Sequence, residues 1–260
     1  MGAVTATRLR WGALAWVLTL QFFVVEALAE ARYTAPYSRV GDVISALGAA
    51  DSAARQLMNA SFVVQAALIL GGALLLRPAL RGGAARAVPA LLGAAALGVL
   101  LVGVFPTDGN GTVHAIGAFL YLVGGGLGLV ALAYAVRPHS EALGTTVVLL
   151  GMVAIAATVF FLAGVTGYLG EGGTERAAAY PLPLALALTG GALWWIDRRG
   201  EEAPDSTSLR AERAREQARR AEQARARDTA LDTATRRHDG AGESDDIDPE
   251  DPWAATSRRD

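Results

Sequence analysis

Six stretches of mostly apolar residues follow one another in the first 196 positions, and they decide what this chain can become. They run over about residues 11–28, 59–76, 88–105, 115–136, 145–168 and 181–196. A helix needs about 20 such residues to cross roughly 30 Å of hydrocarbon. Pro, Gly, Arg and acids fill the spacers, as required where backbone leaves the bilayer and meets water. One apolar run alone is compatible with a core helix of a large soluble protein. Six in succession, with almost no ionisable residues inside, predict an all-α membrane protein: a six-helix bundle within residues 1–197.

Charge supports this division. The formal net charge of −2 conceals ten Arg and eight acids in residues 1–196, against thirteen Arg and seventeen acids in residues 197–260. The first part has too few charges to cover a water-facing globule. The chain has no Cys, which excludes disulfide scaffolds, zinc–cysteine sites and cysteine nucleophiles. Nothing in the sequence calls for a cofactor or a bound metal.

Arginine placement predicts the orientation. With the N-terminus inside, the inner flanks hold Arg8, Arg10, Arg77, Arg81, Arg86, Arg137, Arg198 and Arg199, and the outer loops hold Arg32, Arg39, Arg55 and Arg176. Both termini are therefore expected in the cytoplasm. The lysine-free, Ala/Arg/Gly-rich composition suggests a bacterial plasma membrane. Trp11, Trp16, Trp194 and Trp195 are expected at the inner interface, where indole rings prefer to sit. A rival reading takes the first apolar stretch, ending in Ala27-Leu28-Ala29, as a cleaved signal peptide. Its length and the five spans that follow favour an uncleaved helix.

The polar tail, 198–260, is expected to be cytoplasmic, with a helix over about 207–237 and a disordered acidic segment after it. Residues 210–227 carry seven Arg against three Glu, and residues 239–251 carry seven acids and no base. A solvated helix is the plain reading. Anionic inner-leaflet headgroups, or a partner protein, are the binding alternatives. Nucleic acid is not an expected partner, because the tail is net −4 and has only one aromatic residue, Trp253.

Ionisable residues inside spans are functional candidates by default. Glu26 is the only acid within the spans as bounded above, near the outer end of the first. Gln21 and Gln65 are read as bridges between helices. The loop Phe105-Pro106-Thr107-Asp108-Gly109-Asn110-Gly111-Thr112-Val113-His114 offers Asp108 and His114 six residues apart, with Thr112 as the expected helix cap. An Asp orienting a His would form an acid/base pair; turn chemistry alone also explains the Asp. Below His114, Gly117, Tyr121, Gly124 and Gly128 mark a packing seam. The loop over about 29–57, which contains Tyr37, Asp42 and Ser45, either folds over the bundle as a lid or forms a surface connection.

Tyr37-Ser38, Ile44-Ser45-Ala46-Leu47-Gly48, Asn59-Ala60-Ser61-Phe62, Gly103-Val104-Phe105-Pro106-Thr107-Asp108 and then His114 occur in an order that resembles the DUF998 family. That resemblance covers about residues 11–197 and implies a prokaryotic six-helix membrane protein without an assigned activity. It raises the weight on Asp108 and His114 as one site. The family pattern often has an acid where this chain has Ala46, with Asp42 nearby. Glu26, Asp42, Asn59 and Tyr121 are the weaker ligand-binding candidates. Three function classes follow. The leading one is a non-catalytic accessory protein, or a binder of lipid or small ligand at the outer face. The others are an enzyme acting on a lipid-linked substrate through His114 and Asp108, and a small transporter.

Overall fold

A computed structural model of the chain describes residues 3–202 and 206–241. It contains α1 (Ala3–Leu18), α2 (Gln21–Glu30), α3 (Arg55–Leu76), α4 (Val88–Val104), α5 (Gly111–Val136), α6 (Glu141–Leu162), α7 (Gly170–Ala179), α8 (Pro181–Glu202) and α9 (Ser206–Ala241). Six helical segments are long and apolar enough to span a membrane, so this is a multi-pass membrane protein. The first span joins α1 to α2 and the sixth joins α7 to α8. No strand occurs among the described residues.

Helix α5 is the hub of the bundle. Its Gly124, Gly125 and Gly126 are consecutive, and successive helical residues point about 100° apart. Each glycine therefore faces a different neighbour. A Cβ on Gly124 would lie 2.9 Å from Ala95 N of α4, one on Gly125 3.1 Å from Leu182 of α8, and one on Gly126 2.8 Å from Ile155 of α6. The seam continues at Gly117, which approaches Gly98 of α4 so closely that a Cβ would sit 2.8 Å from the Gly98 carbonyl. Small residues let membrane helices approach and gain van der Waals contact, which replaces the hydrophobic drive that lipid removes.

Two spans are broken. In the first, the backbone at Thr19 and Leu20 tightens into i→i−3 hydrogen bonds. The Thr19 hydroxyl is shared between Trp16 O at 2.6 Å and Pro183 O of α8 at 3.1 Å. In the sixth, the break lies at Tyr180, ahead of Pro181 and Pro183. Pro183 has no N–H, so the Ala179 carbonyl loses its i+4 donor. The Tyr121 hydroxyl of α5 donates to that carbonyl instead, at 3.3 Å.

Two sequence expectations change here. Trp16 is fully buried rather than at the interface, its Nε1 donating to Ile69 O and its ring lying over Gly72, where a Cβ would be 2.1 Å away. Trp11, Trp194 and Trp195 are exposed. The sixth span also starts at Gly170 instead of 181, which places Glu171, Glu175 and Arg176 in a helix rather than in a loop. That first stretch is polar in composition, yet buries Gly172, Thr174, Arg176, Ala178 and Ala179.

The described residues divide into two compact units, one up to residue 200 and one from residue 201. In the second, α9 exposes every described side chain, and Arg220 pairs with Glu216 one turn earlier at 3.1 Å. The part of the acidic segment beyond residue 241 lies outside the described residues.

Candidate functional site

The polar groups of the membrane unit converge where the 31–54 loop meets α2, α3, α5 and α7. Arg176 organises them. Its Nε donates to Glu26 Oε1 at 3.0 Å, and its Nη1 to the carbonyls of Arg39, Asp42 and Gly172 at 2.8, 2.9 and 3.1 Å. Its Nη2 donates to the Tyr37 hydroxyl at 2.5 Å. Glu26 is 1% exposed and Arg176 6% exposed, so the pair is buried. Tyr180, one turn beyond Arg176 on the same face, donates to the Glu26 carboxylate at 2.7–2.8 Å. Ionic groups are tolerated inside a membrane protein when paired and hydrogen-bonded in this way.

The loop is thereby tied to the helices. Tyr37 accepts from Arg176 and donates to Val43 O at 3.1 Å. Burial pushes the Tyr37 hydroxyl up to about 12, against the opposing pull of Arg176. Arg39 pairs with Glu30, and that hydrogen bond raises its guanidinium above the usual value despite partial burial. Asp42 turns inward only through its carbonyl; its carboxylate accepts from Ser38 N at 2.7 Å within the loop. A one-turn helix, Ile44–Gly48, then buries Ile44, Ser45, Leu47 and Gly48. Asn59 of α3 holds this turn by donating to Gly48 O at 3.0 Å, and a Cβ on Gly48 would lie 2.2 Å from Asn59 Oδ1, so a larger residue there would push the Asn59 side chain aside.

Beneath the turn lies a cavity of about 40 Å³. By the measure that gives one water roughly 10–15 Å³, it holds about three waters. Phe22, Phe62, Val99, Val102 and Leu122 supply apolar wall, and Ser45, Gln65, His114, Tyr121 and Glu175 bring polar atoms. Glu175 Oε2 accepts from the Ile44 N–H, and Oε1 has no protein partner among the described residues. His114 Nδ1 lies 2.9 Å from Phe105 O. A carbonyl only accepts, so Nδ1 carries the proton and Nε2 of the neutral ring is a free acceptor. Gln65 Oε1 accepts from Gln21 at 3.2 Å, whereas its buried Nε2 is unpartnered. The two glutamines do bridge helices, and one amide has hydrogen-bonding capacity left over.

The Asp108–His114 pair expected from spacing is not formed. Asn110, not Thr112, caps α5, accepting from Val113 N at 3.1 Å. The helix therefore starts early enough to bury His114, whereas the Pro106–Gly109 turn leaves Asp108 exposed. There its Oδ2 accepts from Ala50 N at 2.9 Å and ties the two loops together. Of the other candidates, Glu26 belongs to the ion-pair network, Tyr121 lines the cavity, and Asp42 and Asn59 brace the loop. Glu175, Arg176 and Tyr180 were missed, because Gly170-Glu-Gly-Gly-Thr-Glu-Arg reads as a polar connection. Arg176 and Tyr180, four residues apart directly before an apolar run, were the available signal. Among the described residues, no three His, Asp or Glu side chains gather into a metal site.

Residues 11–192 match the family model described as "Protein of unknown function (DUF998)". No curated protein and no solved structure matches the chain.

Proposed function

The chain belongs to the DUF998 family, whose description carries no activity, and from that premise we propose that it is a non-catalytic membrane protein that binds a small ligand in the cavity beneath the 31–54 loop. The observation that carries this is a small internal space with hydrogen-bonding atoms left unused at Glu175 Oε1, His114 Nε2 and Gln65 Nε2. Of these, Gln65 Nε2 is fully buried, and a buried polar group left open calls for a partner. The space is too small for a lipid. A catalytic reading through His114 loses its orienting carboxylate, because Asp108 is engaged with Ala50.

The test is native mass spectrometry of protein taken from its own membranes. Wild type is expected to carry a small bound species, absent from Ala118→Leu, which fills the cavity. Identical spectra from two equally abundant proteins would sink the reading.

A second reading, transport, draws on the two broken spans. Breaks at Thr19–Leu20 and Tyr180, with buried Glu26 and Arg176 beside them, resemble the discontinuous helices around transporter sites. Proteoliposome uptake of whatever species co-purifies separates it from simple binding.

We place the loop end outside a bacterial plasma membrane and both termini in the cytoplasm, on the arginine bias. For the tail we favour a solvated helix. Its Arg-rich stretch suits anionic headgroups or a partner protein better than nucleic acid.

A further inference from the structure

Beside the cavity, acidic side chains outnumber basic ones. Glu26 and Glu175 bring two carboxylates, and Arg176 brings one guanidinium whose Nε, Nη1 and Nη2 are all engaged elsewhere. None of these bonds reaches Glu175. His114 spends Nδ1 on Phe105 O, which leaves Nε2 without a protein partner beside the cavity. With both carboxylates ionised, the cluster is short of one positive charge.

We propose that the cavity takes a small organic cation, a primary alkylammonium bonded to Glu175 Oε1 and His114 Nε2, with its carbon chain against Phe22, Phe62 and Leu122. This rests on the ligand reading above and adds the ligand's charge and class. Glu175 Oε1 and, on the neutral ring, His114 Nε2 are acceptors, and an ammonium offers three donors; the third unused atom, the donor Gln65 Nε2, is left to a water. Ca²⁺ or Mg²⁺ requires about six or more oxygens, which a largely hydrocarbon wall does not provide, and among the described residues no three His, Asp or Glu side chains gather for a zinc-like ion. Aromatic faces such as Phe22 and Phe62 favour a cation once it is desolvated. Size narrows the class further. Three waters occupy about 90 Å³ of liquid, the volume of a molecule with roughly three non-hydrogen atoms, such as ethylammonium.

Titration calorimetry on the full chain in nanodiscs, with empty nanodiscs as blanks, compares three near-isosteres: ethylammonium, ethanol and acetate. The ammonium is expected to bind one per chain and about tenfold tighter than the alcohol, as a gain of roughly 1.4 kcal/mol from a charged hydrogen bond implies. Acetate is expected not to bind. Glu175→Gln should erase the preference for ammonium over alcohol, and Glu171→Gln, at an exposed position of the same helix, should retain it. Equal binding of alcohol and ammonium, both lost in Ala118→Leu, overturns the charge assignment and leaves the cavity reading intact. Preference for acetate, or no binding of any probe, overturns the proposal, and the co-purified species then tests the cavity reading separately. If Glu175→Gln does not fold, the wild-type ranking of the three isosteres decides alone.

Discussion

Arg176 does more with one side chain than any other residue in the membrane unit, since it joins the first span, the sixth span and the loop. Removing one member of a buried pair leaves the other charge uncompensated, at a cost of about 3–5 kcal/mol. Glu26→Ala should therefore lower the melting temperature in detergent sharply. Glu30→Ala, which breaks the partly exposed pair with Arg39, should change stability by no more than about 1 kcal/mol. Equal effects would mean that the buried pair is not what holds the loop. Tyr37 gives a pH prediction. Its hydroxyl titrates near 10 when unfolded and is pushed up to about 12 in the fold, so the folded form holds the proton more tightly. The contribution is complete below pH 10 and is lost as pH rises through 12. The chain has no Lys, so tyrosines dominate titration in that window. Amide exchange in the 31–54 loop should accelerate over it, and Tyr37→Phe should flatten the response. At this scale the sequence was least informative. Glu26 stands out as an acid in an apolar run, but Arg176 becomes visible only once residues 170–180 are seen as helix.

At the scale of elements, glycines record how near the helices come. A Cβ on Gly98 would lie 2.3 Å from the Tyr121 backbone nitrogen and 2.5 Å from the Gly117 carbonyl. Backbone cannot move aside as a side-chain tip does, so Gly98→Ala should part α4 from α5 and cost stability well above 1 kcal/mol. Gly71→Ala meets nothing within 4 Å and should stabilise α3 by about 0.5–1 kcal/mol. Melting curves of the two variants should shift in opposite directions. The Gly117, Gly124 and Gly128 seam was readable from helical spacing because small residues at such intervals do one thing in lipid. The two breaks were harder. Pro181 marks one of them, but nothing local distinguishes Thr19 from any threonine in an apolar run. Its hydroxyl donates to Trp16 O one turn back at 2.6 Å and also reaches Pro183 O, far away in sequence, at 3.1 Å.

For the whole molecule, six spans were legible because apolar length is a direct demand of the bilayer, whereas the cavity depends on which span ends meet. Orientation has a simple test, since the chain has no native Cys. Asp51→Cys in the loop should react with an impermeant maleimide in intact cells, and Arg225→Cys in the tail only after permeabilisation. The reverse pattern would invert the assignment. The Glu26–Arg176 ion pair also has a consequence in time. The partners are 150 residues apart, so at about 5–20 residues per second Glu26 is made roughly 8–30 s before Arg176. Throughout that interval the nascent first span holds a carboxylate whose counter-charge does not yet exist. It must wait at the membrane surface, keep a proton, or shelter against the insertion machinery. Any chain released before residue 176 would carry that acid permanently unpaired, a built-in mark of incompleteness for membrane quality control to find.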